Sequence, residues 1–259
     1  MPPRGLRPSG LILVDKPAGP SSFQVIAEIR ERTGARTGHA GTLDPFATGL
    51  LLVLSGSATR LVPWLVGLDK RYVTDVDLTS RTSTGDPEGE VVEEHDPPQQ
   101  AELEERLESL RGEVDLPVPA ASAVKIDGER AYRRHRRGEE LEMPVRHSRI
   151  DELELASYAD GVARLDLRVG SGTYVRSIAD VLGGHCSTLR RIEVGPFSVE
   201  DADADRILPA AAALPFLPAV GVTEEEAAEI RSGKRRAAPE ARTLCDGDLV
   251  AVGRVVLPA

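Results

Sequence analysis

The chain is poor in cysteine, poor in lysine and free of long apolar runs, and each shortage removes a class of function. Its two cysteines, Cys186 and Cys245, share no paired spacing, so a disulfide framework and a structural zinc site are not expected, and a reducing cytoplasm is. The longest apolar stretch, Ile207 to Val222, is cut by Pro209, Pro215 and Pro218, which makes it neither a membrane span nor a stable helix. Met1 to Gly10 carry charge but no apolar core of an export leader. The five histidines, His39, His95, His135, His147 and His185, are scattered without H-E-x-x-H spacing. Gly170-Ser171-Gly172 lacks the third glycine of G-x-G-x-x-G, and no Walker A motif is complete. No metal site and no cofactor is expected.

A formal charge of −10 argues, taken globally, against a polyanion binder. The distribution of charge argues the other way. Between Asp86 and Glu108 ten acids face one arginine, 1 − 10 = −9, so this segment alone carries nearly the whole excess. Elsewhere the balance is near neutral with basic clusters, and a polyanion feels only charges within a Debye length of roughly 10 Å. Of 32 basic residues four are Lys, and Arg is the better fork for phosphate oxygens.

What is present begins with Gly38-His39-Ala40-Gly41-Thr42-Leu43-Asp44-Pro45-Phe46-Ala47-Thr48-Gly49, a loop rich in glycine around one carboxylate. Pro45 keeps Asp44 out of helical geometry, and glycine permits backbone conformations that other residues resist. Before it, Leu11 to Val14 reads as a buried strand, and Ser21 or Ser22 caps a helix bearing Phe23, Ile26 and Ile29 and ending at Gly34. After it come an apolar run from Leu50 to Leu54 and a helix from Ser57 with Leu61, Trp64, Leu65 and Leu68 at core spacing. Lys70 to Thr79 alternates as a half-exposed strand does, Tyr72, Val76 and Leu78 opposing Asp75 and Asp77.

The acidic segment has a turn at Gly85-Asp86-Pro87 and a helix from Ala101 to Leu110. A strand is expected at Ser122 to Ile126, a turn and short helix after Asp127-Gly128, and a hairpin about Asp160-Gly161. A helix follows at Thr173 to Leu182, and a strand at Arg190 to Val199. Residues 208–218 read as a linker between a domain over 1–207 and a small one over 219–259, the latter with an acidic helix at Thr223 to Ile230 and two short strands. Strands and helices interleave irregularly, which favours an α+β fold over a doubly wound sheet.

The Asp44 segment resembles the G-H-x-G-x-L-D-P-x-A-T-G motif of the TruB family of pseudouridine synthases. Further stretches resemble the same family in its order along the chain: Asp15-Lys16-Pro17-Ala18-Gly19, Lys70-Arg71-Tyr72, the Ser122-Ala123 segment through Lys125, Gly128, Arg130, Ala131 and Tyr132, Gly170 to Arg176, and Leu189-Arg190-Arg191. Together they cover residues 11–197. The resemblance implies a mixed, largely antiparallel sheet flanked by helices, with a short, reduced PUA-like C-terminal segment. It implies Asp44 as the nucleophile, Tyr72 as the platform for the target base, and Arg176 as the partner of Asp44. It also implies His39, Tyr174, Leu189, Lys16 and Arg130 as substrate contacts, and the T-loop uridine of tRNA, position 55, as target; Arg134, beyond the matched motif, is a further candidate contact from its spacing with Arg130. Two features depart from the family pattern: Ala121 stands where a tyrosine is usual, and the interval from Arg176 to Leu189 is short.

The chemistry asks for little more than these residues. Turning a uridine into its C-glycoside breaks N1–C1′ and joins C5 to C1′, so nothing is oxidised, hydrolysed or transferred away. A nucleophilic carboxylate must be ionised, and a paired Arg lowers an Asp pKa by about 1–3 units. An everted base loses its stacking, and an aromatic platform returns about 1–3 kcal/mol of it. Arg130, Arg133, Arg134 and Arg137 share a helical face that reads equally as a solvated face or a phosphate track. The expected enzyme is cytoplasmic and monomeric, with the T-stem-loop of tRNA as partner, no membrane contact and no obligate protein partner. Three rivals stand beside it. One is an RNA-binding or tRNA-folding module without turnover, and another a guide-RNA-dependent relative. The last is a Mg²⁺-dependent aspartyl phosphohydrolase, for which Asp75-Val76-Asp77-Leu78-Thr79 matches D-x-D-x-T.

Overall fold

A computed structural model describes residues 8–135, 137–139 and 141–257. Met1 to Arg7, which make up most of the stretch in which no export leader is read, lie outside the described residues. The chain divides into two compact units, Met1–Leu68 with Glu193–Ala259, and Asp69–Ile192.

The first unit opens with β1 (Gly10–Lys16), α1 (Ser22–Thr33), β2 (Thr37–His39) and β3 (Thr48–Ser55). β1 pairs antiparallel with β3, and so does β2. The unbroken apolar runs of β1 and β3 have a direct cause: both strands are buried on both faces. Leu11, Leu13, Leu50, Leu52 and Leu54 enter one core, while Ile12, Val14, Leu51 and Val53 enter another. Fully burying each such side chain contributes about 1.5–3 kcal/mol.

α1 covers the second of these cores through Val25 and Ile29. Ser21 caps it with a capping box closed by Gln24, and left-handed Gly34 ends it. Phe23, expected on the buried face, is 65% exposed. The stripe that fits a 3.6-residue turn is Ser22, Val25 and Ile29, whereas Phe23 falls outside it. The helix expected from Ser57 is a 3₁₀ turn at Gly56–Leu61 followed by the short α2 (Val62–Val66), with Pro63 in its first turn.

The second unit holds β4 (Lys70–Asp77), β5 (Ser80–Thr82), β6 (Val91–Glu94), α3 (Gln100–Ser109), β7 (Gly112–Pro117), β8 (Lys125–Ile126), β9 (Glu129–Arg130) and α4 (Ala131–His135). It continues with β10 (Val145–Ala159), β11 (Val162–Val169), α5 (Val175–Leu182) and β12 (His185–Val194), whose last two residues belong to the first unit. The strand order is β12-β4-β11-β10-β7, with the β4–β11, β11–β10 and β10–β7 pairs all antiparallel. β4 alternates strictly between buried and half-buried positions, as its sequence predicts. β10 and β11 turn on Asp160 and Gly161, at φ 50° and 78°, the pair of left-handed residues that a tight hairpin needs. β8 is much shorter than the strand expected at Ser122 to Ile126, and β12 begins earlier than the one expected at Arg190.

The chain then returns to the first unit with β13 (Phe197–Ser198) and β14 (Asp203–Pro209), and β14 pairs antiparallel with β1. The stretch at 208–218, which reads as a linker in the sequence, takes in the end of β14 and a 3₁₀ turn at Ala210–Ala213, with Ala213 and Leu214 fully buried. Four short strands, β15 (Ala219–Gly221), β16 (Arg242–Cys245), β17 (Asp248–Val252) and β18 (Val255–Val256), form a small sheet beside α6 (Glu224–Arg231). The sequence shows only two strands there, because runs of two or three residues carry no period. Mostly antiparallel strands with several helices make the fold α+β.

Candidate active site

Asp44 sits half-buried in the loop between β2 and β3, and hydrogen bonds hold the backbone on both sides of it. Ser22, the first residue of α1, is buried, and its Oγ accepts the Leu43 N–H at 2.8 Å and donates to the Leu43 carbonyl at 2.9 Å. The Asp44 carbonyl accepts the Ala47 N–H at 3.2 Å. The Pro45 carbonyl accepts from the Gly19 N–H at 2.8 Å and from Lys16 Nζ at 3.1 Å. Gly19, Gly41 and Gly49 all take positive φ, 103°, 101° and 104°, which side-chain-bearing residues adopt only at a cost. His39 is half-buried at the end of β2, opposite Val53.

Lys16 is fully buried, and its ammonium donates to the carbonyls of Pro17, Pro20 and Pro45 at 2.8, 2.8 and 3.1 Å. A side chain with no exposed surface, its ammonium bonded to the walls of the loop, shapes the site.

In the second unit, Arg176 lies at the start of α5 and is almost fully buried. Its Nη1 donates to the Thr84 carbonyl at 2.7 Å and its Nη2 to the Ala121 carbonyl at 3.0 Å. Asp86 Oδ2 lies 3.3 Å from Nη1, and both side chains are buried. The other oxygen of Asp86 accepts from Thr84 Oγ1 at 2.5 Å and from the Glu88 N–H at 3.1 Å. In the sequence Asp86 reads only as a turn residue inside an acidic segment. The signal that could find it is its setting, since Gly85-Asp86-Pro87 presents an acid ahead of proline as Leu43-Asp44-Pro45 does. The contact through Ala121 is a backbone one, so it does not depend on the side chain that departs from the family pattern.

Tyr72 is 8% exposed, on the buried face of β4 with Lys70 and Thr74. Tyr174 is the half-buried N-cap of α5, and Leu189 is buried on β12. Lys70 is itself buried, with Nζ 3.3 Å from Ser171 Oγ. Burial first, and the nearby Arg191 guanidinium second, push its ammonium down from 10.5 to about 8, against the pull of Asp69.

Asp44, His39 and Lys16 thus belong to one unit, and Tyr72, Tyr174, Arg176, Leu189, Arg130 and Arg134 to the other. Arg130 donates to the Ala123 carbonyl at 2.8 Å. Arg134 bonds Glu139 at 2.7 Å and lies 3.4 Å from Asp127, while Arg137 is bidentate on Glu129 and also contacts Glu139. Arg133 and Arg134 lie in α4, whereas Arg130 is on β9 and Arg137 lies beyond the helix, so the four do not share the helical face expected of them; Arg134 and Arg137 face acids of their own segment.

Asp75 and Asp77, the phosphohydrolase alternative, lie in and at the end of β4 with their carboxylates engaged. Asp75 meets Thr188 Oγ1 at 2.9 Å and Arg164 at 3.2 Å, and Asp77 accepts from the N–H and hydroxyl of Thr79. Among the described residues one group offers ligand atoms within 4.8 Å of one another, Glu224, Cys245 and Asp246, two of them exposed. No described helix is long and apolar enough to cross a membrane.

Comparison with known proteins bears on this geometry. Residues 29–175 match the family described as TruB family pseudouridylate synthase (N terminal domain). A tRNA pseudouridine synthase B of Leifsonia xyli is 40% identical over 255 residues, 89% of this chain and 84% of that protein. Another from an Arthrobacter species is 37% identical over 94% of this chain and 92% of its own. Among solved structures, a chain of a Cbf5-Nop10-Gar1 complex matches 93% of this chain and 77% of its own with a TM-score of 0.70. At 24% identity that likeness speaks for the fold alone. A family model matched over more than half the chain, and relatives at 40% identity over most of it, make the protein a member of the TruB family of pseudouridine synthases.

Proposed function

We propose that the chain isomerises uridine to pseudouridine in tRNA, at the T-loop uridine at position 55, with Asp44 as nucleophile. The observation that carries this reading is the loop itself: one carboxylate, half-buried, on a backbone tied at Leu43, Asp44 and Pro45. A loop fixed in this way aims an acid without reorganising when the substrate arrives, which is where most of the advantage of a preorganised site lies. The curated relatives carry the name tRNA pseudouridine synthase B, and that name supports the substrate.

In this reading the uridine leaves its stack and rests against Tyr72, whose ring compensates for the lost stacking. By the family resemblance, Arg176 is the cation that favours the charged form of Asp44. Asp44 takes part while N1–C1′ breaks, the base turns, and C5 joins C1′. The C5 proton departs and N1 gains one, so the sum is an isomerisation that needs no cofactor. Leu43 and Leu189, both buried, help exclude water that would let the loose base escape. His39 enters the space that the unfolded T-loop vacates, Tyr174 contacts the substrate, and Arg130 and Arg134 contact RNA phosphates. The enzyme acts as a stand-alone monomer in the cytoplasm, and residues 219–259 are a reduced PUA-like module.

The test is incubation of the purified protein with unmodified tRNA transcript, followed by mapping of pseudouridine. Product at the T-loop uridine supports the reading, whereas product only at another site overturns the assigned target. Tight tRNA binding with no product at any position favours a binding module instead.

A further inference from the structure

We propose that Ser22 is a positioning residue for Asp44, and this rests on the reading of Asp44 as nucleophile. A serine hydroxyl has one proton to give and lone pairs to accept with. Ser22 uses both on one residue, Leu43, taking its N–H at 2.8 Å and giving to its carbonyl at 2.9 Å. Ser22 is 1% exposed and Leu43 3% exposed, so bulk water does not compete for either bond.

The placement of these bonds sets their consequence. The Leu43 carbonyl belongs to the same peptide plane as the Asp44 nitrogen, so Ser22 fixes the plane from which Asp44 departs. The Asp44 carbonyl, bonded to the Ala47 N–H at 3.2 Å, fixes the plane on the other side. With both planes held, the direction of the Asp44 Cα–Cβ bond is set. α1 holds Ser22 in turn, because Ser21 caps the helix and Val25 and Ile29 anchor it in the core. The helix start therefore serves as the fixed point against which the loop is measured. A displacement of about 1 Å at a reacting group costs on the order of a hundredfold in rate, and that is the scale of movement that losing two backbone ties permits.

The experiment measures single-turnover pseudouridine formation, tRNA affinity and thermal midpoint for wild type, Ser22→Ala, Ser22→Thr and Asp44→Asn. Ser22→Ala is expected to slow the chemical step about 10- to 100-fold while tRNA affinity stays within about threefold, and Ser22→Thr, which keeps the hydroxyl, restores most of the rate. Should Ser22→Ala fail to fold, Ser22→Cys, close in size but a poor hydrogen bonder, carries the same expected drop. A Ser22→Ala or Ser22→Cys enzyme that is folded and turns over at the wild-type rate overturns the inference. So does a loss that tracks weakened tRNA binding, or one that Ser22→Thr leaves uncorrected. Asp44→Asn separates the two levels: product from that variant removes the nucleophile reading itself, whereas its inactivity beside a fully active Ser22→Ala removes only the role of Ser22.

Discussion

Nη1 of Arg176 lies 3.3 Å from Oδ2 of Asp86, and both side chains are almost wholly withdrawn from solvent. The guanidinium also meets the Thr84 and Ala121 carbonyls, so the arginine is braced within its own unit. Replacing Asp86 by Asn keeps the size of the side chain and removes the countercharge. Breaking one side of a buried ion pair costs about 3–5 kcal/mol. Asp86→Asn is therefore expected to lower the urea midpoint and to slow turnover together. An unchanged midpoint in a folded variant would show that the pair does not bear on stability.

Lys16 provides a second test of how the nucleophile loop is built. Its ammonium bridges the Pro17, Pro20 and Pro45 carbonyls from a fully buried position. A hydrogen bond to a charged group is worth about 1.5–3 kcal/mol, so Lys16→Met should destabilise the protein by at least about 3 kcal/mol. Lys16→Arg should rescue little, because a planar fork does not fit a compact site made for a point charge. Chemical denaturation reads both, and full rescue by Arg would show that charge alone matters.

Lys70 gives a pH signature. Its folded value, about 8, lies below the 10.5 of the unfolded chain, so between these two values the unfolded state binds more protons and stability rises with pH. Below pH 8 both states are charged and the full cost of burying the ammonium is present, while above 10.5 it has vanished. The stability difference between Lys70→Met and wild type should therefore favour the variant most near pH 7 and shrink toward pH 10. A difference that stays flat across that window would contradict the placement of Lys70.

Arg134 of α4 pairs with Glu139, and Arg137 beyond the helix pairs with Glu129 and Glu139, before any RNA is present. If they are to contact phosphates as proposed, those acids compete with the RNA. Glu139→Gln should then tighten tRNA binding about threefold to tenfold at low salt and steepen its salt dependence, since each cation freed for a phosphate adds to the slope. Filter binding across a salt series checks this, and unchanged affinity would assign these arginines to a solvated face.

Much of the architecture is legible from residues alone. β1, β3 and β4 follow from two continuous apolar runs and one clean alternation, α1 from a serine cap ahead of an apolar face and a glycine stop, and α6 from the acidic run at Thr223 to Ile230. The hairpin at Asp160-Gly161 is equally plain. What stays hidden is whatever depends on a distant partner. Phe23 is apolar yet exposed because the core lies against Val25 and Ile29, a matter of helix rotation by one residue. Asp86 looks like any acid in an acidic stretch until Arg176 is placed against it, ninety positions later. Lys16 looks like a strand-end cation until its bonds to three carbonyls of the loop are seen. The family motifs name Asp44, but the grip of Ser22 on Leu43 is visible only in three dimensions.

The most direct measurement is pseudouridine formation by Asp44→Asn on unmodified tRNA transcript, with tRNA affinity determined for the same preparation. The account predicts affinity near that of the wild type and no detectable product, since the amide cannot act as a nucleophile. Pseudouridine made by that variant at a rate near wild type would contradict it.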